Sequence, residues 1–99
     1  MVQKIKCQCL NKNEMMISTY QEFIEMKNFF QEQISSGVFE EIDVKQPYYI
    51  GYSRRQTIRW FADKWYKCKV CGCLWEFNYP DFPAAGFTRK FNDGIYCKR

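Results

Sequence analysis

Cys68 and Cys71 stand two residues apart in the run Cys68-Lys69-Val70-Cys71-Gly72, the form of a metal knuckle. Two intervening residues let the chain fold back so that both sulfurs reach one ion, and the glycine relieves the tight turn that follows. One knuckle supplies half of a tetrahedral site. Cys7 and Cys9 form the other close pair, and in an extended strand over Val2 to Leu10 their sulfurs would share one face. A structural Zn²⁺ held by Cys7, Cys9, Cys68 and Cys71 is therefore the economical reading, with Cys97 as the alternative to Cys9. Cys73 shares the inner face of its strand with Trp75 and is read as a core thiol. The competing reading of all six cysteines is ordinary buried thiols. A redox role for Cys68 and Cys71 is disfavoured, because strand-forming residues follow them rather than the helix N-terminus that lowers a reactive thiol's pKa.

The chain contains no histidine, which removes the imidazole used by hydrolase triads and by His-ligated zinc sites. Its five glycines stand singly at 37, 51, 72, 86 and 94, so no phosphate-cradling loop is present either. An enzyme is not expected. The six cysteines accompany no export signal: Lys4 and Lys6 interrupt the start, and no apolar run nears the roughly 20 residues that cross a bilayer. That combination reads as a soluble, cytoplasmic protein with no membrane partner and with reduced thiols.

Elements must bring these cysteines together. At 99 residues the chain is read as a single domain, 1–99, and 46% hydrophobic with 19% aromatic content is enough for one core. Ser18 with Gln21 suggests a capping box, and Phe23, Met26, Phe30 and Ile34 recur every three or four residues. The spacing predicts one main helix near 18–36, stopped by Gly37. Alternation around Val38 to Val44 predicts a strand, and Tyr48 to Tyr52 and Thr57 to Phe61 predict two more, joined through Arg54 and Arg55. Further strands are expected at Trp65 to Lys67, Cys73 to Tyr79, Phe87 to Phe91 and Ile95 to Cys97, the last two joined by an Asn92-Asp93-Gly94 hairpin turn. The fold class is α+β: a helix on an antiparallel β meander that carries a zinc-knuckle-like turn.

Net charge is +4 but polarised, with −5 over residues 14–49 and +6 over 50–99. Arg54, Arg55 and Arg59 lie among Tyr48, Tyr49, Tyr52 and Trp60, a mixture that can bind single-stranded nucleic acid. The reading preferred from sequence is that these aromatics pack inward and the arginines are solvated, because so small a core needs tyrosines. Glu40, Glu41 and Asp43 read as an exposed acidic edge and as candidate contacts to a protein partner, together with Tyr79, Asp81 and Phe82 as an interface anchor on the Pro80 to Gly86 loop.

The segment Trp65 to Phe91, WYKCKVCGCLWEFNYPDFPAAGFTRKF, joins a CxxCG to an aromatic strand, a Tyr-Pro-Asp-Phe-Pro loop and a Gly-Phe-x-Arg-Lys strand. About a quarter of the chain thus resembles small bacterial immunity proteins of polymorphic toxin and contact-dependent growth inhibition systems. The resemblance implies a cytosolic α+β protein that binds and blocks one cognate toxin domain without catalysis. Members acting on nucleases are often acidic, whereas this chain is +4, so either residues 14–49 would meet the toxin or the toxin is not strongly basic. The alternative is a zinc-ribbon nucleic-acid-binding module in which Lys64, Lys67, Lys69, Arg89 and Lys90 contact phosphate.

Overall fold

One α-helix lies against a five-stranded antiparallel sheet, and a separate two-stranded hairpin extends from it. The structure, a computed structural model, describes residues 7–97. The helix, α1 (Tyr20–Ser35), begins one residue later than Ser18 and Gln21 suggested. Thr19 is the N-cap: its hydroxyl accepts from the Glu22 amide at 3.1 Å, and Glu22 Oε1 accepts in return from the Thr19 amide at 3.1 Å. Glu22, unlike Gln21, also sets a negative charge against the helix N-terminus. The predicted stop holds. Gly37, at φ +78°, donates to Ile34 O, and Val38 donates to Gln33 O, so the last carbonyls are satisfied in a Schellman turn.

The strands are β1 (Met15–Ile17), β2 (Phe39–Ile42), β3 (Tyr49–Ser53), β4 (Gln56–Trp60), β5 (Lys64–Cys68), β6 (Leu74–Asn78) and β7 (Gly86–Phe91). The main sheet runs β1-β7-β6-β5-β2, and β3 pairs with β4 alone. The meander is therefore real over β5, β6 and β7, while the β3–β4 hairpin is an excursion between β2 and β5. The strand expected at Ile95 to Cys97 does not form: the chain turns at 92–94, and Tyr96 packs as a single ring on Trp65, centroids 4.7 Å apart. The strand expected over Val2 to Leu10 falls partly outside the described residues. Within them the chain turns, Asn11 and Lys12 both donating to Gln8 O.

Register sorts the residues into two faces. On the helix side lie Ile17, Phe39, Tyr66, Cys68, Trp75, Phe77 and Thr88, closed by Met26 and Phe30 of the predicted stripe. Phe30 stacks on Tyr66 at 4.4 Å, which fixes the helix over β5 and β6. Sequence alone places the core on the Cys73 and Trp75 side of β6, but the other side is not solvent-facing throughout. Trp65 and Leu74 are buried there with Ala62, covered by Ile42, Tyr48, Phe91 and Tyr96. Strand β6 is thus buried on both faces, which is why its sequence, LWEFN, lacks a clean alternation.

This second face contains a buried ion pair. Arg89 Nε donates to Glu76 Oε1 at 2.6 Å, Arg89 Nη2 to the Tyr96 hydroxyl at 2.7 Å, and that hydroxyl to Glu76 Oε2 at 2.7 Å. The three groups close a ring of hydrogen bonds that satisfies both charges. Among the described residues no helix is long and apolar enough to cross a membrane.

Candidate metal centre

The β5–β6 connection is shaped by its own backbone. Cys68 N donates to Cys73 O at 2.8 Å, Gly72 N to Cys68 O at 3.0 Å, and Cys71 N points at Cys68 Sγ from 3.5 Å. Gly72 sits at φ +80°, a conformation a side chain would strain. The turn at 92–94 packs against this knuckle so closely that a Cβ on Gly94 would lie 2.5 Å from Gly72 O. Lys69 N donates to Val38 O at 2.8 Å, joining the knuckle to the end of the helix turn.

Residues 7–12 are brought to the knuckle by Lys90. Its ammonium donates to Cys9 O at 2.7 Å and Lys12 O at 2.9 Å, and it lies 5.6 Å from the Trp75 ring centroid. Further along, Glu14 Oε2 accepts from Lys90 N at 3.2 Å, and Met15 N donates to Thr88 Oγ1 at 3.0 Å. The indole N–H of Trp75 donates to Cys9 Sγ at 3.4 Å, placing that sulfur over the sheet.

Cys7, Cys9, Cys68 and Cys71 converge as a result: their Sγ atoms all lie within 4.8 Å of one another. Four sulfurs around one ion at about 2.3 Å would stand about 3.8 Å apart, so the group needs only a slight contraction to close on a metal. The predicted set is brought together whole, although Cys7 and Cys9 reach it from a turn-forming segment rather than from a strand. Cys9, rather than Cys97 or Cys73, completes the cluster. Burial pushes the Cys9 and Cys71 thiols up, whereas a hydrogen bond from the Cys9 backbone holds Cys7 below the usual thiol range. A metal ion at this point would favour the Cys9 thiolate against that burial. Burial also pushes Cys73 up, to about 11, as suits a core thiol.

The predicted interface residues are spread along the sheet: Glu40 sits opposite Lys67, next to the Phe39–Cys68 pair at the cysteine end, whereas Asp43 and the loop of Tyr79, Asp81 and Phe82 lie toward the other end. Glu40, Glu41 and Asp43 are exposed on and beside edge strand β2, with Glu41 paired to Lys64 at 3.0 Å. Asp81 and Phe82 are exposed on a loop tightened by reciprocal Asp81–Ala84 backbone bonds. Tyr79 is different: half-buried, its ring lies 5.2 Å from Phe23 and 4.9 Å from Phe77, so it seats the loop on the core. Between this loop and the base of the hairpin runs an open cleft of about 560 Å³, lined by Tyr48, Trp60, Phe61, Tyr79, Asp81 and Phe87 among others. Of the five cations assigned to phosphate in the zinc-ribbon reading, Lys64, Arg89 and Lys90 are engaged within the fold. Lys67 and Lys69 are exposed.

Sequence reasoning missed Glu76 and the roles that Lys90 and Gly94 play here. Each sits in an unremarkable local pattern, and its role depends on contacts with residues at least 13 positions away. It also placed the aromatics at 48–60 inward: Tyr48 does pack on the second core face, whereas Tyr49, Tyr52 and Trp60 are exposed. Compared with known proteins, the chain matches no family model, no curated protein and no solved structure.

Proposed function

We propose that the protein is a non-enzymatic binding protein, with a structural zinc at one end of the sheet and a protein-docking surface at the other. The four-thiolate set supports zinc: a sulfur-only tetrahedron suits it and leaves no open position for substrate. Its role is to tie residues 7–12 to the β5–β6 knuckle.

The observation that carries the binding role is the cleft between the Tyr79 to Ala85 loop and the hairpin base. It is walled by aromatic rings, of which Trp60 and Phe61 remain 52% and 48% exposed, and Phe82 on the adjoining loop is 47% exposed. Aromatic side chains in a partly desolvated groove, rimmed by charge, are the anchors that protein interfaces use. Asp43, just past the end of β2, and Asp81 in the cleft lining supply acidic charge toward the same end. The partner we infer is a cognate bacterial toxin domain, which the protein would occlude as an immunity protein.

Co-expression with the protein encoded by the adjoining reading frame tests this. A stable complex and protection of cells from that protein are expected, and Phe82→Ala with Trp60→Ala should weaken the complex at least tenfold. Neither binding nor protection by the unaltered protein would refute the reading.

A further inference from the structure

The hairpin β3–β4 leaves the sheet at the end opposite the cysteine cluster. Strand β2 ends at Ile42 opposite Trp65, and β5 starts at Lys64 opposite Phe77, whereas the cysteine end of the same strands pairs Phe39 with Cys68. A two-stranded ribbon on its own is marginally stable in water. This one nevertheless exposes Tyr49 at 47%, Tyr52 at 84%, Ile58 at 40% and Trp60 at 52%.

The two faces of the ribbon differ. Tyr49 and Trp60 are a cross-strand pair with centroids 4.8 Å apart, and the Tyr49 ring folds over Gly51, where a Cβ would lie 2.9 Å from it. That face is packed on itself. On the other face Ile50 pairs with Arg59 and Tyr52 with Thr57, so Tyr52 and Arg59 are diagonal neighbours. The ring of Tyr52 therefore presents its faces to solvent beside a guanidinium. Arg54 and Arg55 form the turn beyond it.

Charge identifies the occupant. Residues 44–62 carry Lys45, Arg54, Arg55 and Arg59 and no carboxylate. Among the described residues the ion pairs are Glu41–Lys64 and Glu76–Arg89, so the three arginines keep their charge toward solvent. The tip, Ser53-Arg54-Arg55-Gln56, is polar, which argues against insertion into a bilayer. An exposed ring for stacking, a guanidinium next to it and two more cations about one strand-width away fit an unpaired nucleotide chain, which offers π-faces and phosphates together. We propose that the Tyr52, Arg54, Arg55 and Arg59 surface of the hairpin binds single-stranded nucleic acid without base specificity. This site is separate from the cleft proposed for the protein partner, and it does not use the lysines of the zinc-ribbon reading.

The test is fluorescence anisotropy of the full-length protein, as purified with its metal, against labelled 15-mer oligothymidylate and oligouridylate from 50 to 200 mM KCl. A blunt DNA duplex of the same length and poly-L-glutamate are the comparison probes. Three phosphate contacts predict a slope of log affinity on log salt of roughly −2, hence a loss of roughly 15-fold across that range. Tyr52→Ala removes one stacking ring and should weaken binding roughly 5- to 150-fold, and Arg54→Gln with Arg55→Gln should flatten the slope by about 1.4. All three side chains are exposed, and an unchanged circular dichroism spectrum will show that the variants fold. The proposal is overturned by absence of oligonucleotide binding at 50 mM KCl, or by Tyr52→Ala leaving affinity unchanged. It is equally overturned if the duplex or poly-L-glutamate binds as tightly as the single strands, the latter result assigning the arm to acidic protein surfaces.

Discussion

Glu76 is fully buried and Arg89 nearly so, and each charge is tolerable only because the other and the Tyr96 hydroxyl complete its hydrogen bonds. Arg89→Leu leaves a buried carboxylate without its cation, and urea titration followed by tryptophan fluorescence should show a loss of about 3–5 kcal/mol. Replacing both partners, Glu76→Met with Arg89→Leu, should recover most of that loss, since two apolar side chains remove the stranded charge. A milder residue-scale outcome attaches to Lys90. Its two bonds to the carbonyls of Cys9 and Lys12 hold the N-terminal half of the cysteine cluster in place. Lys90→Met should lower metal affinity about 10- to 100-fold in chelator competition, while the helical and sheet content stays as it was.

At the scale of elements, the ends of α1 and the turns decide what forms. Thr19→Ala removes the acceptor for the Glu22 amide and should cost about 1 kcal/mol in thermal or urea unfolding. Gly94→Ala should cost at least as much, because it adds strain at φ +76° to a collision with Gly72 O next to the cysteine knuckle. Much of this level was legible in the sequence. The Phe23, Met26, Phe30, Ile34 stripe and the Gly37 stop locate the helix through local periodicity and chirality, and β5, β6 and β7 follow from their aromatic runs. What was not legible depends on distant contacts. Met15–Ile17 is too short to show a period and becomes β1 only by pairing with Gly86–Thr88. Ile95 to Cys97 has strand-like composition, but Tyr96 is drawn instead to Trp65, Glu76 and Arg89. The capping box was displaced by one residue because Ser18 and Thr19 are both good caps, and the glutamate three residues beyond Thr19 decides between them. The cysteine set was legible because Cys68 and Cys71 are a spacing motif and only one other close pair exists to complete it.

Across the whole molecule, whose long axis measures 62 Å, the cysteine cluster and the hairpin occupy opposite ends of the sheet. Metal loss should therefore loosen residues 7–12 and the knuckle first and leave the hairpin and cleft end in place. Hydrogen exchange on chelator-treated protein checks that order. If the proposed zinc is held there, acidification should release it as well, because each of the four sulfurs would bind it as a thiolate and a proton competes for that thiolate, so occupancy falls as pH falls. The account rests most directly on the four cysteines holding one ion. Native mass spectrometry of protein purified without chelator, paired with thiol titration under native conditions, measures this. The expected result is one zinc per chain with Cys7, Cys9, Cys68 and Cys71 protected until the metal is removed, and loss of the ion in Cys68→Ser. A metal-free chain in which these four thiols react at once would contradict it.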